Sequence, residues 1–229
     1  MSSKSLCIAI ETASRVSSVA VLDGDRFTEL NQNSQMTHSQ TLLPQLKEVL
    51  ELSKVDRGSV ELIAVSIGPG SFTGLRIGLA TAKALSYAWG VPLIGVPTLE
   101  ALAYHFPFDN VLTMIDAQKN RAYCQRFERL RAIGDIKVRS VEEIMEEVSA
   151  SGDKVIVCGD AISKIKEAPS NVEAAPINLR MPRAVNVGLC ARRRMVEGLI
   201  DNVMNLEPLY VRRSEAEVLW EKRHPSFDK

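Results

Sequence analysis

One pattern met twice constrains this chain more than any other feature. SLCIAIE (5–11) and SVAVLD are short apolar runs around the polar turn TASRVS, and NVLTMIDA and AYCQRFER flank QKNR about a hundred residues later. Each pair reads as a β-hairpin, and 26–31 adds a third strand to the first. Each hairpin is followed by a helical pattern and then an apolar strand. In the first half these are HSQTLLPQLKEVLEL, with Leu42, Leu43, Leu46, Val49 and Leu50 on one stripe, and VELIAVSI. In the second they are SVEEIMEEVSA and KVIVCG. Helices alternating with strands in this way predict an α/β protein whose sheets are sandwiched by helices. The recurrence predicts two related halves, 1–106 and a smaller 107–229.

The remaining elements follow from local signals. Thr37 or Ser39 caps the first helix, and Pro44 kinks it or marks its first turns. A helix after the Gly-rich turn ends near Trp89; PLIGV is a strand, and TLEALAYHF is a helix capped by Thr98. Ser140 and Glu143 form a capping box. AVNVGLCARRRMVEGL is an amphipathic helix, and LYVRRSEAEVLWEKR is a short strand running into a final helix.

Bulk composition excludes several classes. Lys plus Arg and Asp plus Glu number 28 each in 229 residues, so no global field selects nucleic acid or an anionic membrane. Cys7, Cys124, Cys158 and Cys190 are scattered with no CxxC pair, which fits reduced, buried thiols. No apolar run has the length of a secretory leader or a membrane span, and the expected location is the cytoplasm. Arg180, Arg183, Arg192, Arg193, Arg194, Arg212 and Arg213 concentrate charge in the last fifty residues. Such a cluster contacts nucleic-acid phosphates in some chains, but the commoner reading is a solvated helical face.

GPGSFTGLRIGLATAKAL (68–85) carries the chemistry-bearing signal. A strand running into a Gly-rich turn and a helix is a generic phosphate-holding geometry, with Gly68, Gly70 and Ser71 nearest the anion. It matches neither the P-loop nor GxGxxG, and Pro69 removes one backbone donor. Gly74, Gly78 and Ala82 then form a smooth ridge at a spacing of four. Such a ridge admits close approach by another helix, or packs on the chain's own sheet. Spacing alone slightly favours the sheet.

The same stretch resembles the signature of the bacterial TsaB family, also called YeaZ. The likeness runs along nearly the whole chain, through IAIETASRVSSVAV, HSQTLLPQL, VPLIGVPTLEAL, MIDAQKNRAYCQRF and EPLYVRRSEAE. The resemblance implies two RNase-H-like domains of the actin, sugar-kinase and chaperone-ATPase superfamily. It implies a noncatalytic subunit that activates TsaD, the catalytic paralogue transferring a threonylcarbamoyl group to the adenosine 3′ of the anticodon. A TsaE-like ATPase joins them, tRNA contact is indirect, and ATP or ADP sits at the shared surface if anywhere in this chain. A homodimer through the same helices is compatible with that role. The family's pairing surface is its first two helices, here 38–52 and 72–89. That places His38, Leu42, Leu46, Val49, Gly74, Leu75, Gly78, Leu79 and Ala82 at or near the interface, and turns the ridge toward a partner helix.

Set beside TsaD-type proteins, the chemistry is eroded. Their metal-binding histidine pair, four apart on the first helix, is reduced to His38, with Leu42 in the second place. His105 and His224 are isolated. Glu11 stands where related subunits have the magnesium-organising aspartate, and Thr12 where ATPase relatives have glycine. The second half offers Asp116 and a solitary Gly159. The competing readings are a stand-alone ATP-dependent kinase or transferase, and a glycoprotease-like hydrolase built from Ser71, His38 and Asp116 or Glu11.

Overall fold

The computed structural model describes residues 4–33 and 37–211. The first sheet begins with β1 (Cys7–Glu11), β2 (Val16–Asp23) and β3 (Arg26–Asn33), an antiparallel meander. α1 (His38–Ser53) crosses over to β4 (Leu62–Gly68), α2 (Phe72–Trp89) crosses to β5 (Leu93–Pro97), and α3 (Thr98–Ala103) follows. The order is β3-β2-β1-β4-β5, with β1, β4 and β5 parallel. The second sheet repeats it. β6 (Asn110–Asp116), β7 (Arg121–Glu128) and β8 (Arg131–Ser140) form the meander; α4 (Val141–Ser151) leads to β9 (Val155–Cys158) and β10 (Val172–Ala174). Its order, β10-β9-β6-β7-β8, is the first sheet's topology again. The expected pair of RNase-H-like α/β domains is the observed fold.

β1 shows why the sequence folds this way. Its five residues are all buried, as a central strand covered on both faces requires. Ile8 and Ile10 pack under α1 and α2 with Leu42, Leu46, Val49 and Leu79. Cys7 and Ala9 face the other way, toward α5 (Ala184–Val196), with Ala184, Val187 and Cys190. Small residues on that side let α5 lie close, and a methyl group at Gly188 would stand 2.5 Å from Leu22 Cδ1. All four cysteines are free and buried.

The halves exchange helices. α3 follows the first sheet but sends Leu99, Leu102 and Ala103 into the second core. α5 follows the second sheet but covers the first. The tail continues there: Asp201 N–H donates to Leu93 O, Leu206 joins the first core, and Leu209 N–H donates to Ile67 O at 2.7 Å. A cut near residue 107 therefore separates the two sheets, but 184–211 belongs with the first sheet, not with a unit 107–229. Arg192 pins this return, donating to the carbonyls of Ser5 and Gly24 at 2.8 Å each.

The Ser140–Glu143 capping box is present, and Thr37 N–H donates to the Gln40 side chain at the start of α1, where Pro44 lies inside the helix. α3 is shorter than TLEALAYHF suggests and starts at Thr98, with Pro97 as its N-cap. Leu209 to Val211 form no strand. The final helix lies outside the described residues.

Candidate functional site

The Gly-rich turn is occupied by its own chain. β4 ends at Gly68, whose φ of 111° suits glycine, and Ser71 caps α2 by accepting from Gly74 N–H at 3.2 Å. The turn leaving β1 lies across the mouth of this helix. Ala13 O accepts from Ser71 N–H at 2.7 Å, and a methyl group at Gly70 would stand 2.3 Å from the same oxygen. Two of the donors a phosphate would use at the α2 N-terminus, Ser71 N–H and Gly74 N–H, are thus already bonded within the chain.

Glu11 lies beneath, at 0% exposure, its Oε1 accepting from Ala13 N–H at 2.5 Å. Oε2 and the neighbouring Ser66 Oγ are buried without a well-formed hydrogen bond. Burial pushes the carboxyl up to about 7, against the opposing pull of Ser66 and the backbone at Ala13 and Ser14. A sealed carboxyl of this kind does not offer the open oxygen ligands that magnesium takes.

The ridge faces inward, and the expectation that it admits another chain is corrected. Thr12 Oγ1 donates to Gly74 O at 2.8 Å. A methyl group at Gly74 would lie 2.0 Å from Thr12 O, and one at Gly78 would lie 2.2 Å from Thr12 Oγ1. The glycines exist to let the β1 exit turn touch α2. Leu42, Leu46, Val49, Leu75, Leu79 and Ala82 are core residues as well. His38 Nε2 meets the carbonyl of Ser14 at 2.9 Å, so that nitrogen carries the proton. That nitrogen is therefore not free to bind a metal or to take a proton. Among the described residues no group of three His, Cys, Asp or Glu side chains is placed to hold a metal.

A cleft of about 370 Å³ opens where the turns of both halves meet, lined by 69–73, 116–118 and 209–211. Asp116 pairs with Lys164, and its N–H donates to Asp160 Oδ1 at 2.8 Å. Burial raises the Asp160 carboxyl. Gln118, Lys119 and Asn120 all hold left-handed backbone at the rim. On the opposite wall Tyr210 packs against Phe72 at 5.1 Å between ring centroids. Arg76 lies 3.8 Å over the Phe72 ring and donates to Tyr210 Oη at 3.1 Å. Sequence reasoning missed Arg76 and Tyr210. Aromatic character in LYV was the available signal, but a partner 134 positions away is invisible to local periodicity.

The arginine cluster is also internal. Arg183 pairs with Glu29, Arg180 donates to Ala175 O, and Arg193 and Arg194 both grip Glu100, at 2.8 and 2.6 Å. With Arg192 tied to two carbonyls, the solvated face is corrected to a set of clamps between chain segments. Arg212, Arg213 and His224 lie outside the described residues.

Comparison with known proteins agrees with this frame. A family described as "TsaD: tRNA N6-adenosine threonylcarbamoyltransferase" matches residues 31–220. The "tRNA threonylcarbamoyladenosine biosynthesis protein TsaB" of Haemophilus influenzae is 31% identical over 154 residues, 65% of each chain. The protein of that name from Escherichia coli K12 is 32% identical over 126 residues, 53% of this chain and 54% of its own length. The solved structure of YeaZ from Pseudomonas aeruginosa superposes with a TM-score of 0.76 at 25% identity, over 90% of this chain and 100% of that one. The chain belongs to the TsaB/YeaZ family. The matched segments span less than two thirds of both the Haemophilus and Escherichia TsaB sequences. Among the described residues no helix is long and apolar enough to cross a membrane.

Proposed function

We propose that this chain is a noncatalytic subunit that pairs with and activates a TsaD-like threonylcarbamoyltransferase in tRNA threonylcarbamoyladenosine synthesis. Family membership supports the pathway. The filled phosphate cradle and sealed Glu11 support a role without chemistry of its own. The pairing surface is the outward face of α1 and α2. Ala80, Ala84 and Ala88 form an exposed small-residue stripe beside Tyr87, which is 84% exposed, and α1 adds Leu43 at 60%. This outer stripe takes the part the sequence suggested for Gly74 and Gly78.

Activation requires that the surface bind one arrangement of the partner better than another. A nucleotide, where the assembled pair holds one, meets this chain from the cleft side of Ser71, Asp116 and Gln118, outside the closed turn. A TsaE-like ATPase and tRNA join through the pair, in the cytoplasm, and the free chain self-associates through the same stripe.

Capture of the TsaD-like paralogue by tagged protein tests the reading. Ala84→Arg leaves thermal unfolding unchanged, because the position is exposed, and abolishes both capture and the modified nucleoside in cells dependent on this chain. Intact capture by Ala84→Arg refutes the surface. Appreciable ATP turnover by the chain alone, with magnesium, refutes the noncatalytic role.

A further inference from the structure

Between the second sheet and α4 lies a cavity of about 310 Å³ that the proposed pairing role does not use. Native interiors hold few voids larger than a water molecule, and ligand pockets begin at roughly this size. Its origin is a break in the β7–β8 ladder. Cys124 pairs with Lys137 and Arg126 with Ile133, so one residue of β7 stands opposite three of β8. Gly134, at φ 73°, lets β8 lift away, and Gln125 Nε2 spans the gap to Gly134 O at 2.9 Å.

The floor is apolar: Leu112, Cys124, Ile144 and Val155 are buried, and Val148 is half-buried. Burial raises the Cys124 thiol, so the floor carries no charge at neutral pH. The rim holds three cations, two of them paired. Arg126 is committed to Asp153 at 2.9 Å, and Arg139 to Glu147 and Glu143. Glu147 is the acidic side chain lining the cavity, and Arg139 neutralises it. Lys137 is the rim cation with no ion pair among the described residues.

We infer that this cavity binds small apolar carboxylates, the hydrocarbon body on the Leu112–Val155 floor and the carboxylate at Lys137. The cation at the mouth selects anions over neutral or cationic molecules of the same shape, and the apolar floor selects hydrocarbon over sugar or phosphate.

Titration of the full chain with octanoate, octanol and octylammonium, followed by calorimetry and amide chemical shifts, tests it. Octanoate saturates, with shifts confined to β7, β8 and α4, octanol binds more weakly, and octylammonium does not saturate. Lys137→Glu, an exposed change that leaves the fold intact, weakens octanoate by about tenfold and brings octylammonium in. Val148→Trp fills the floor and removes binding of all three. Absence of saturable octanoate binding overturns the inference, as does octylammonium binding equal to octanoate, or an unchanged octanoate affinity in Lys137→Glu.

Discussion

Gly78→Ala is the perturbation that most directly tests how α2 is held. A methyl group there would stand 2.2 Å from Thr12 Oγ1, far inside van der Waals contact, whereas Thr12 Cβ and Cγ2 are at 3.4 and 3.5 Å. Relief by rotating Thr12 gives up its bond to Gly74 O, worth about 1 kcal/mol. Overpacking adds about 1–3 kcal/mol, and the better helix propensity of alanine returns about 1. The net expectation is a loss of about 2 kcal/mol. In a Thr12→Ala background the offending oxygen is gone and ordinary contact remains. Gly78→Ala there becomes a gain of about 1 kcal/mol, a coupling of about 3 kcal/mol across the cycle. Gly74→Ala supplies the control, since its methyl would meet the backbone oxygen of Thr12 at 2.0 Å and is costly in either background. Urea unfolding of the four proteins at one pH measures the cycle. Additivity within about 0.5 kcal/mol refutes the packing account. Capture of a TsaD-like partner by the double variant, with the fold restored, separates this internal ridge from the pairing surface.

Other expectations follow from single contacts. Glu11 titrates at about 7 in the folded chain against 4.5 ordinarily, so the native state holds its proton longer than the unfolded state. Its contribution is most favourable below pH 4.5, declines by about 3 kcal/mol as pH rises to 7, and is flat above that. Glu11→Gln removes that slope, and a wild-type-to-variant difference in urea midpoint that stays constant from pH 4.5 to 8 counts against it. Leu130, at φ 65° in the two-residue β7–β8 turn, gains about 1 kcal/mol as Leu130→Gly, read from the same midpoint. Glu100→Gln leaves Arg193 and Arg194 without their counter-ion and costs about 2 kcal/mol, since both guanidiniums are partly exposed; calorimetry reads a fall of about 5 °C.

Most of the sheet was legible because strands and turns are local. SLCIAIE, SVAVLD and their later counterparts carry short-range apolar runs and turn residues, and these alone locate the first meander and the β6–β7 hairpin, whereas β8, largely exposed, and the three-residue β10 carry no such apolar run and were missed. The exchange of α3 and α5 was not legible. TLEALA and AVNVGLCARRRMV show which residues are apolar, but an apolar face does not say which of two sheets it will cover. The ridge failed in the same way. Gly74, Gly78 and Ala82 correctly announce a close approach, yet the spacing is identical whether the visitor is Thr12 or another chain. The arginines misled because Ser5, Gly24 and Glu100, which hold Arg192, Arg193 and Arg194, lie 93 to 187 positions away.

The duplication, followed through, restricts where a partner can dock. Both sheets have the same strand order, but the second half replaces the long β4–β5 helix with a 3₁₀ turn at Asp160–Lys164. α1 and α2 cover one face of the first sheet, α5 the other, and α3 and α4 pack against the second. Among the described residues, the outer surfaces of these helices stay open, beside the sheet edges at β3, β8 and β10. On α4 the exposed acids are Glu142, Glu143, Glu146 and Glu147, three of them held by the protein itself through Asn120, Ser140 and Arg139. On α2 the outer surface is Ala80, Ala84, Tyr87 and Ala88, which gain nothing from water and leave room for a second backbone to approach. The half of the molecule that kept its second crossover helix is therefore the half that presents an apolar shelf, and Ala84→Arg is the substitution that removes the shelf without touching the core.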